Sequence, residues 1–134
     1  MKRTWPIIGV ADVATSSAWY MKLLNGENNH PGATVFDQIM DADGTVLVCV
    51  HHWGDHGHPS LSNPEGGTVG KGLLLWFLVD DFDAAWDRAQ AMEARVEETP
   101  HTDNGTLMRA FVVWDPAVGP PQPALSPEGR EEAA

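Results

Sequence analysis

The chain has 134 residues, 43% hydrophobic and 20% charged, with 19 acids against 8 bases and a formal charge of −11. That length suits one domain with a core of its own, and the charge disfavours nucleic acid, whose phosphates call for Lys and Arg. An acid excess of this size attracts a cationic small molecule or a metal ion, or it simply keeps the surface soluble.

No apolar run reaches the ~20 residues of a membrane span. The start, Met1-Lys-Arg-Thr-Trp-Pro6, has no apolar stretch suited to a secretory signal. The single Cys49 excludes an internal disulfide and fits a reducing compartment. The expectation is a cytoplasmic protein with neither a membrane nor a nucleic-acid partner.

In chain order, residues 5–10 predict a short apolar strand. Asp12 stands where it caps a helix over about 13–24, with Val13, Ser17, Tyr20 and Leu24 along one face. Asn25-Gly26 closes that helix. Strands over 33–40 and 45–51 follow, joined by Asp41-Ala-Asp-Gly44, a hairpin sequence with Gly where positive φ is needed. Cys49 falls in the apolar pattern of the second strand and reads as a buried, inert thiol.

Residues 53–72, rich in Gly, Pro and His, read as a long surface loop. Leu73–Val79 is a continuous apolar run suited to a central strand. Asp81 or Asp83 caps a helix over about 83–93, with Phe82, Trp86, Ala89 and Met92 as its apolar side. Val96–Thr99 is a short strand, 102–105 a turn, and Leu107–Trp114 a strand ending at Asp115-Pro116. Prolines 120, 121 and 123 make the next segment unfit for a central strand, and residues 126–134 read as a disordered acidic tail.

The chain also says one thing twice. Val10 and Asp12 recur as Val79 and Asp81, both 69 residues later, each time as a short apolar run handing over to an amphipathic segment. A fixed-period repeat predicts two copies of a strand–helix–strands unit sharing one ligand site. The boundaries read as a first module over 1–55, a His/Gly/Pro-rich linker over 56–71, an incomplete second module over 72–116 and a tail over 117–134.

Val10-Ala-Asp12-Val, Trp19-Tyr20, Leu23-Leu-Asn-Gly26, Phe77-Leu-Val79-Asp-Asp81-Phe-Asp83-Ala-Ala and Phe111-Val-Val-Trp-Asp115-Pro116, in that order, resemble the vicinal oxygen chelate superfamily. That superfamily includes glyoxalase I, extradiol dioxygenases, fosfomycin-resistance transferases and bleomycin-resistance proteins. The resemblance covers about residues 5–116. It implies an α+β fold in which two tandem βαβββ modules form an incomplete, cup-shaped mixed β-barrel with flanking helices. The final strand of the second module is then missing or degraded. It also implies a homodimer.

Metal-dependent members carry His or Gln in the first strand of each module and Glu near each last strand. Here the first-strand positions are Trp5 and Leu74, and the last strand of the first module holds Val48, Cys49, Val50 and His51 without a Glu. The resemblance therefore implies the branch of the bleomycin-resistance proteins. A cofactor-free cup at a dimer interface would sequester a small, cationic, aromatic ligand such as an antibiotic, without chemistry.

The tryptophans fit: Trp5, Trp19, Trp53, Trp76, Trp86 and Trp114 are six in 134 residues. Positions 5, 74 and 76 share parity relative to the repeated Val, so Trp5, Leu74 and Trp76 are candidate cup-lining residues, suited to stacking on a flat ring or holding its charge. Trp19 and Trp86, on helices, read as core.

His51-His52-Trp53-Gly54-Asp55-His56-Gly57-His58 is the sharpest local signal outside the repeat. The spacing matches no established zinc motif, so an exposed polar loop is the plain reading. The alternative is a divalent metal on His51, His52, His56 and His58, serving a lyase, dioxygenase or transferase of the same superfamily. His51 and His52, with Trp53 beside them and Arg109 on the late strand, are further candidate ligand contacts. Asp37 and Gln38 are candidate polar contacts, and His101 reads as surface.

Overall fold

The computed structural model describes residues 2–61 and 74–116. Most of the expected loop (62–72), Leu73, the proline-rich segment and the acidic tail lie outside these residues. The described elements run β1 (Ile7–Val10), α1 (Val13–Leu24), β2 (Glu27–Asn28), β3 (Phe36–Met40), β4 (Val46–His52), α2 (Phe82–Ala91), β5 (Val96–Thr102) and β6 (Arg109–Val113). They make an α+β fold without a closed barrel: a four-stranded sheet ordered β1-β4-β3-β2 and a separate β5-β6 hairpin.

Local chemistry explains most of these elements. Asp12 is extended at φ −141°, and its carboxylate accepts from Thr15 N at 3.0 Å, which fixes the start of α1. Asn25 in the left-handed region (φ 53°, ψ 44°) ends it, its short polar side chain tolerating that conformation. Gly26 follows because a Cβ there would meet the Met40 carbonyl oxygen at 2.7 Å. In the hairpin between β3 and β4, Gly44 has φ +87°. Asp81 caps α2, accepting from Ala84 N at 3.0 Å.

β1 pairs with β4 in parallel, Ile7 to Cys49 and Gly9 to His51, and β4 pairs antiparallel with β3. One face of this sheet packs on α1, burying Ile8, Val10, Val13, Tyr20, Ile39, Val48 and Val50. Each such aliphatic side chain, fully buried, contributes about 1.5–3 kcal/mol. By alternation Cys49 and His51 point to the other face. Cys49 is fully buried, and burial pushes its thiol up from the ordinary value.

Three expectations are corrected. Leu74–Val79 joins neither sheet among the described residues, although its exposure alternates as in a strand: Leu75 and Phe77 pack toward the core, while Leu74, Trp76 and Leu78 face out. An apolar run specifies burial on one side but not a ladder partner, and here its inner side finds the core. The two-residue β2, which pairs with Ile39 and Met40, was not expected, having no apolar pattern of its own. The strand expected over 96–99 extends to Thr102. No helix among the described residues is long and apolar enough to cross a membrane.

Candidate functional site

Between α1, the 74–79 segment, α2 and the β5-β6 hairpin lies a cavity of about 730 Å³. Trp19, Tyr20, Leu23 and Leu24 of α1 form one wall, and the six residues from Leu74 to Val79 form another. Phe82 and Ala85 of α2 and Phe111 of β6 line it too, with Trp114 just beyond. The walls are built from edge-on aromatic contacts. Trp19 and Tyr20 pack at 4.9 Å and 86°, Tyr20 and Phe77 at 6.5 Å and 61°, and Phe82 and Phe111 at 5.6 Å and 67°.

Among the described residues few polar groups enter this space: the Tyr20 hydroxyl, Glu97, Arg109 and Asp115. The Arg109 guanidinium sits 5.2 Å over the Phe82 ring. Tyr20, the only tyrosine of the chain, donates its hydroxyl to the Asp115 carboxylate across 95 positions of sequence. Both side chains are buried. Burial, and then the neighbouring carboxylate, push the Tyr20 phenol far above its ordinary range, so it stays protonated. A second polar joint runs from Arg88 Nε to the Leu23 carbonyl at 3.1 Å, tying α2 to the end of α1.

Of the residues singled out in the sequence, Leu74, Trp76 and Arg109 come together on this cavity. Trp5 does not: it precedes β1 and stands 53% exposed, outside the lining. His51, His52 and Trp53 are also outside it. The Trp53 indole covers Gly9, where an added Cβ would meet three ring atoms at 2.9 Å, so that ring is committed to packing on β1. Asp37 is buried in scaffold bonds, accepting from Asn28 Nδ2 at 3.0 Å and His30 N at 2.9 Å. Gln38 accepts from Asn29 Nδ2 at 3.0 Å. His101 lies on β5, its Nδ1 at 2.8 Å from the Thr99 carbonyl oxygen. Trp19, read from the sequence as core, packs against the core and also lines the cavity, while Asp115 was not singled out as a site residue. The one signal for it was the pairing of an apolar strand end with an acid at Asp115-Pro116.

The histidines form a second locus, on the sheet face away from α1. His51, His56 and His58 converge, and His52 turns aside to Asp55, Nδ1 to Oδ2 at 2.6 Å. Backbone bonds hold this loop: Gly54 N donates to the Leu61 carbonyl at 2.7 Å, and Leu61 N to that of His58 at 3.0 Å.

Several solved structures share this fold. An integron cassette protein from the mobile metagenome of V. cholerae aligns with TM-score 0.60 at 18% identity, covering 89% of this chain and 92% of the other. A possible glyoxalase from Bacillus cereus aligns with TM-score 0.58 at 16% identity, covering 89% and 94%. TioX from Micromonospora sp. ML1 aligns with TM-score 0.58 at 16% identity, over the same shares of the two chains. No curated protein matches the chain. Residues 4–118 match the family described as the Glyoxalase/Bleomycin resistance protein/Dioxygenase superfamily, and the chain belongs to that superfamily.

Proposed function

We propose that this chain is a binding protein of the bleomycin-resistance-like kind, holding a small, flat, ring-bearing molecule in the aromatic cavity without transforming it. One observation carries the reading: a cavity of about 730 Å³, within the ~300–1,000 Å³ usual for ligand sites, walled by aromatic rings and entered by few polar groups. Trp19, Trp76 and Trp114 offer faces for stacking. The acids Glu97 and Asp115 and the overall charge of −11 favour a cationic ligand. The two positions five residues before the repeated Val, where the sequence pattern of metal-dependent relatives calls for ligands, hold Trp5 and Leu74, which fits binding without chemistry.

The same reading pairs the chain with a second copy. Leu74 and Leu78 are 68% and 73% exposed beside the cavity, and β1 is an open sheet edge among the described residues.

The test is a tryptophan-fluorescence titration of the full chain with a cationic, planar-ringed antibiotic of the bleomycin class and with a neutral aromatic of similar size. Saturable quenching by the cationic compound, weakened about tenfold or more in Trp76→Ala, is expected, since a well-packed aromatic anchor contributes about 2 kcal/mol or more to binding. Absence of a saturable change with both compounds sinks the reading.

A further inference from the structure

The histidine locus supports an inference independent of the cavity. His51, near the end of β4, is 3% exposed, with the Phe36 ring packed on it at 6.1 Å. Its Nδ1 lies 2.7 Å from the His52 carbonyl oxygen. A carbonyl only accepts, so Nδ1 carries a proton, and in the neutral ring Nε2 is the nitrogen with the free lone pair. That Nε2 points at His56, whose Nδ1 is 3.3 Å away. One nitrogen from each of His51, His56 and His58 lies within 4.8 Å of the other two. The three rings stand at steep mutual angles, 79°, 76° and 89°, around a common centre.

We propose that His51, His56 and His58 form a three-histidine site for one late first-row divalent cation, Zn²⁺ first, with a fourth position open to water or a ligand oxygen. Tetrahedral coordination at ~2.0–2.1 Å sets nitrogen–nitrogen separations of about 3.4 Å. The His51–His56 pair stands at 3.3 Å. His58 then needs to close by at most about 1.5 Å, within reach of a rotamer change on an exposed side chain. Neutral imidazoles select zinc, copper and nickel over magnesium and calcium.

The His51 Nδ1 bond to a backbone carbonyl is the outer-shell contact that fixes the tautomer and orientation of a metal-binding histidine. The loop that carries His56 and His58 is held in one conformation. The Gly54–Leu61 bond closes it, and His56 adopts φ 61°, ψ 9°, left-handed for a residue with a Cβ. His52, engaged with Asp55, is not a ligand. None of the three ligands stands at position 5 or 74; His51 comes from β4 and the other two from the loop that follows it.

The test uses the untagged full chain, stripped with a chelator and titrated with Zn²⁺ against a chromophoric competitor, then with Co²⁺ as a spectroscopic probe. One equivalent of Zn²⁺ and the intense visible bands of tetrahedral Co²⁺ are expected. His56→Ala and His58→Ala, both exposed and dispensable for the core, are expected to weaken binding by more than the roughly 10–100-fold that loss of an outer-shell partner costs. His52→Ala is expected to leave affinity within about twofold, since its ring is turned to Asp55. Sub-stoichiometric zinc, only the weak bands of octahedral Co²⁺, or unchanged affinity in His56→Ala and His58→Ala overturns the proposal.

Discussion

In the first half of the chain Asp12, at φ −141° and ψ 107°, accepts from Thr15 N at 3.0 Å, and its carbonyl accepts from Ser16 N at 3.1 Å. In the second half Asp81, at φ −130° and ψ 99°, accepts from Ala84 N at 3.0 Å, and its carbonyl accepts from Ala85 N at 3.1 Å. Every donor and acceptor is displaced by the same 69 positions. Yet β1, just before the first cap, is a sheet strand with three buried residues, while 74–79, just before the second, joins no sheet among the described residues. Among the described residues, the fully buried aliphatic core comes from the first half, and the second adds only Ala85 and Ala89 to the buried apolar residues. Local capping is specified by a few neighbouring residues and so recurs. Sheet membership depends on distant partners, and does not.

The sharpest break of this comparison is a pair of truncations. Ile39→Ala, at a fully buried site, is expected to cost about 2–5 kcal/mol, and Val113→Ala, half-buried on β6, about 1 kcal/mol, read from urea midpoints at constant slope. Equal losses would mean that the second half carries as much of the core as the first.

A second measurement probes the joint between the halves. Tyr20 is held protonated when folded, whereas in the unfolded chain it releases its proton near its ordinary value of 10.0. Above that pH the unfolded state binds fewer protons, so stability falls as pH rises, by up to about 1.4 kcal/mol per unit. Because Tyr20 is the only tyrosine, an ultraviolet titration should show no phenolate until the protein unfolds, and Tyr20→Phe should remove this part of the decline. Phenolate appearing near pH 10 in the folded protein would show the joint to be open.

The smallest expected effects come from the caps. Asp12→Ala and Asp81→Ala should each cost about 1 kcal/mol, within about 0.5 of one another, since the two geometries match. A clear inequality in thermal midpoints would place the difference between the halves already at the helix starts.

What was legible in the sequence follows the same division. Both caps, the Asn25 terminus, the Asp41–Gly44 hairpin and the turn at Asp103, which accepts from Thr106 N at 2.8 Å, rest on contacts within a few residues. Leu73–Val79 read as a strand because hydrophobicity reports burial without naming the partner. Trp5 and Trp76 share parity, but parity orders side chains only within a strand, and Trp5 lies before β1. The cavity, and Asp115 within it, come from segments far apart in sequence, and no local pattern announces such a meeting. The histidines stood out as a cluster, but the sequence does not contain the Gly54–Leu61 closure that turns three of them toward one point.

All six residues of the 74–79 segment line the cavity, yet none of them is fully buried. The outward-facing positions of such a wall can be rewritten one by one while the sheet behind it keeps its stability. Substitutions at the exposed Leu74, Trp76, Leu78 and Val79 alter the shape offered to a guest while drawing little on the margin that keeps the chain folded, whereas Leu75 and Phe77 pack on the core and are held by it. On such a scaffold, what is bound can diverge quickly in evolution while the frame stays the same.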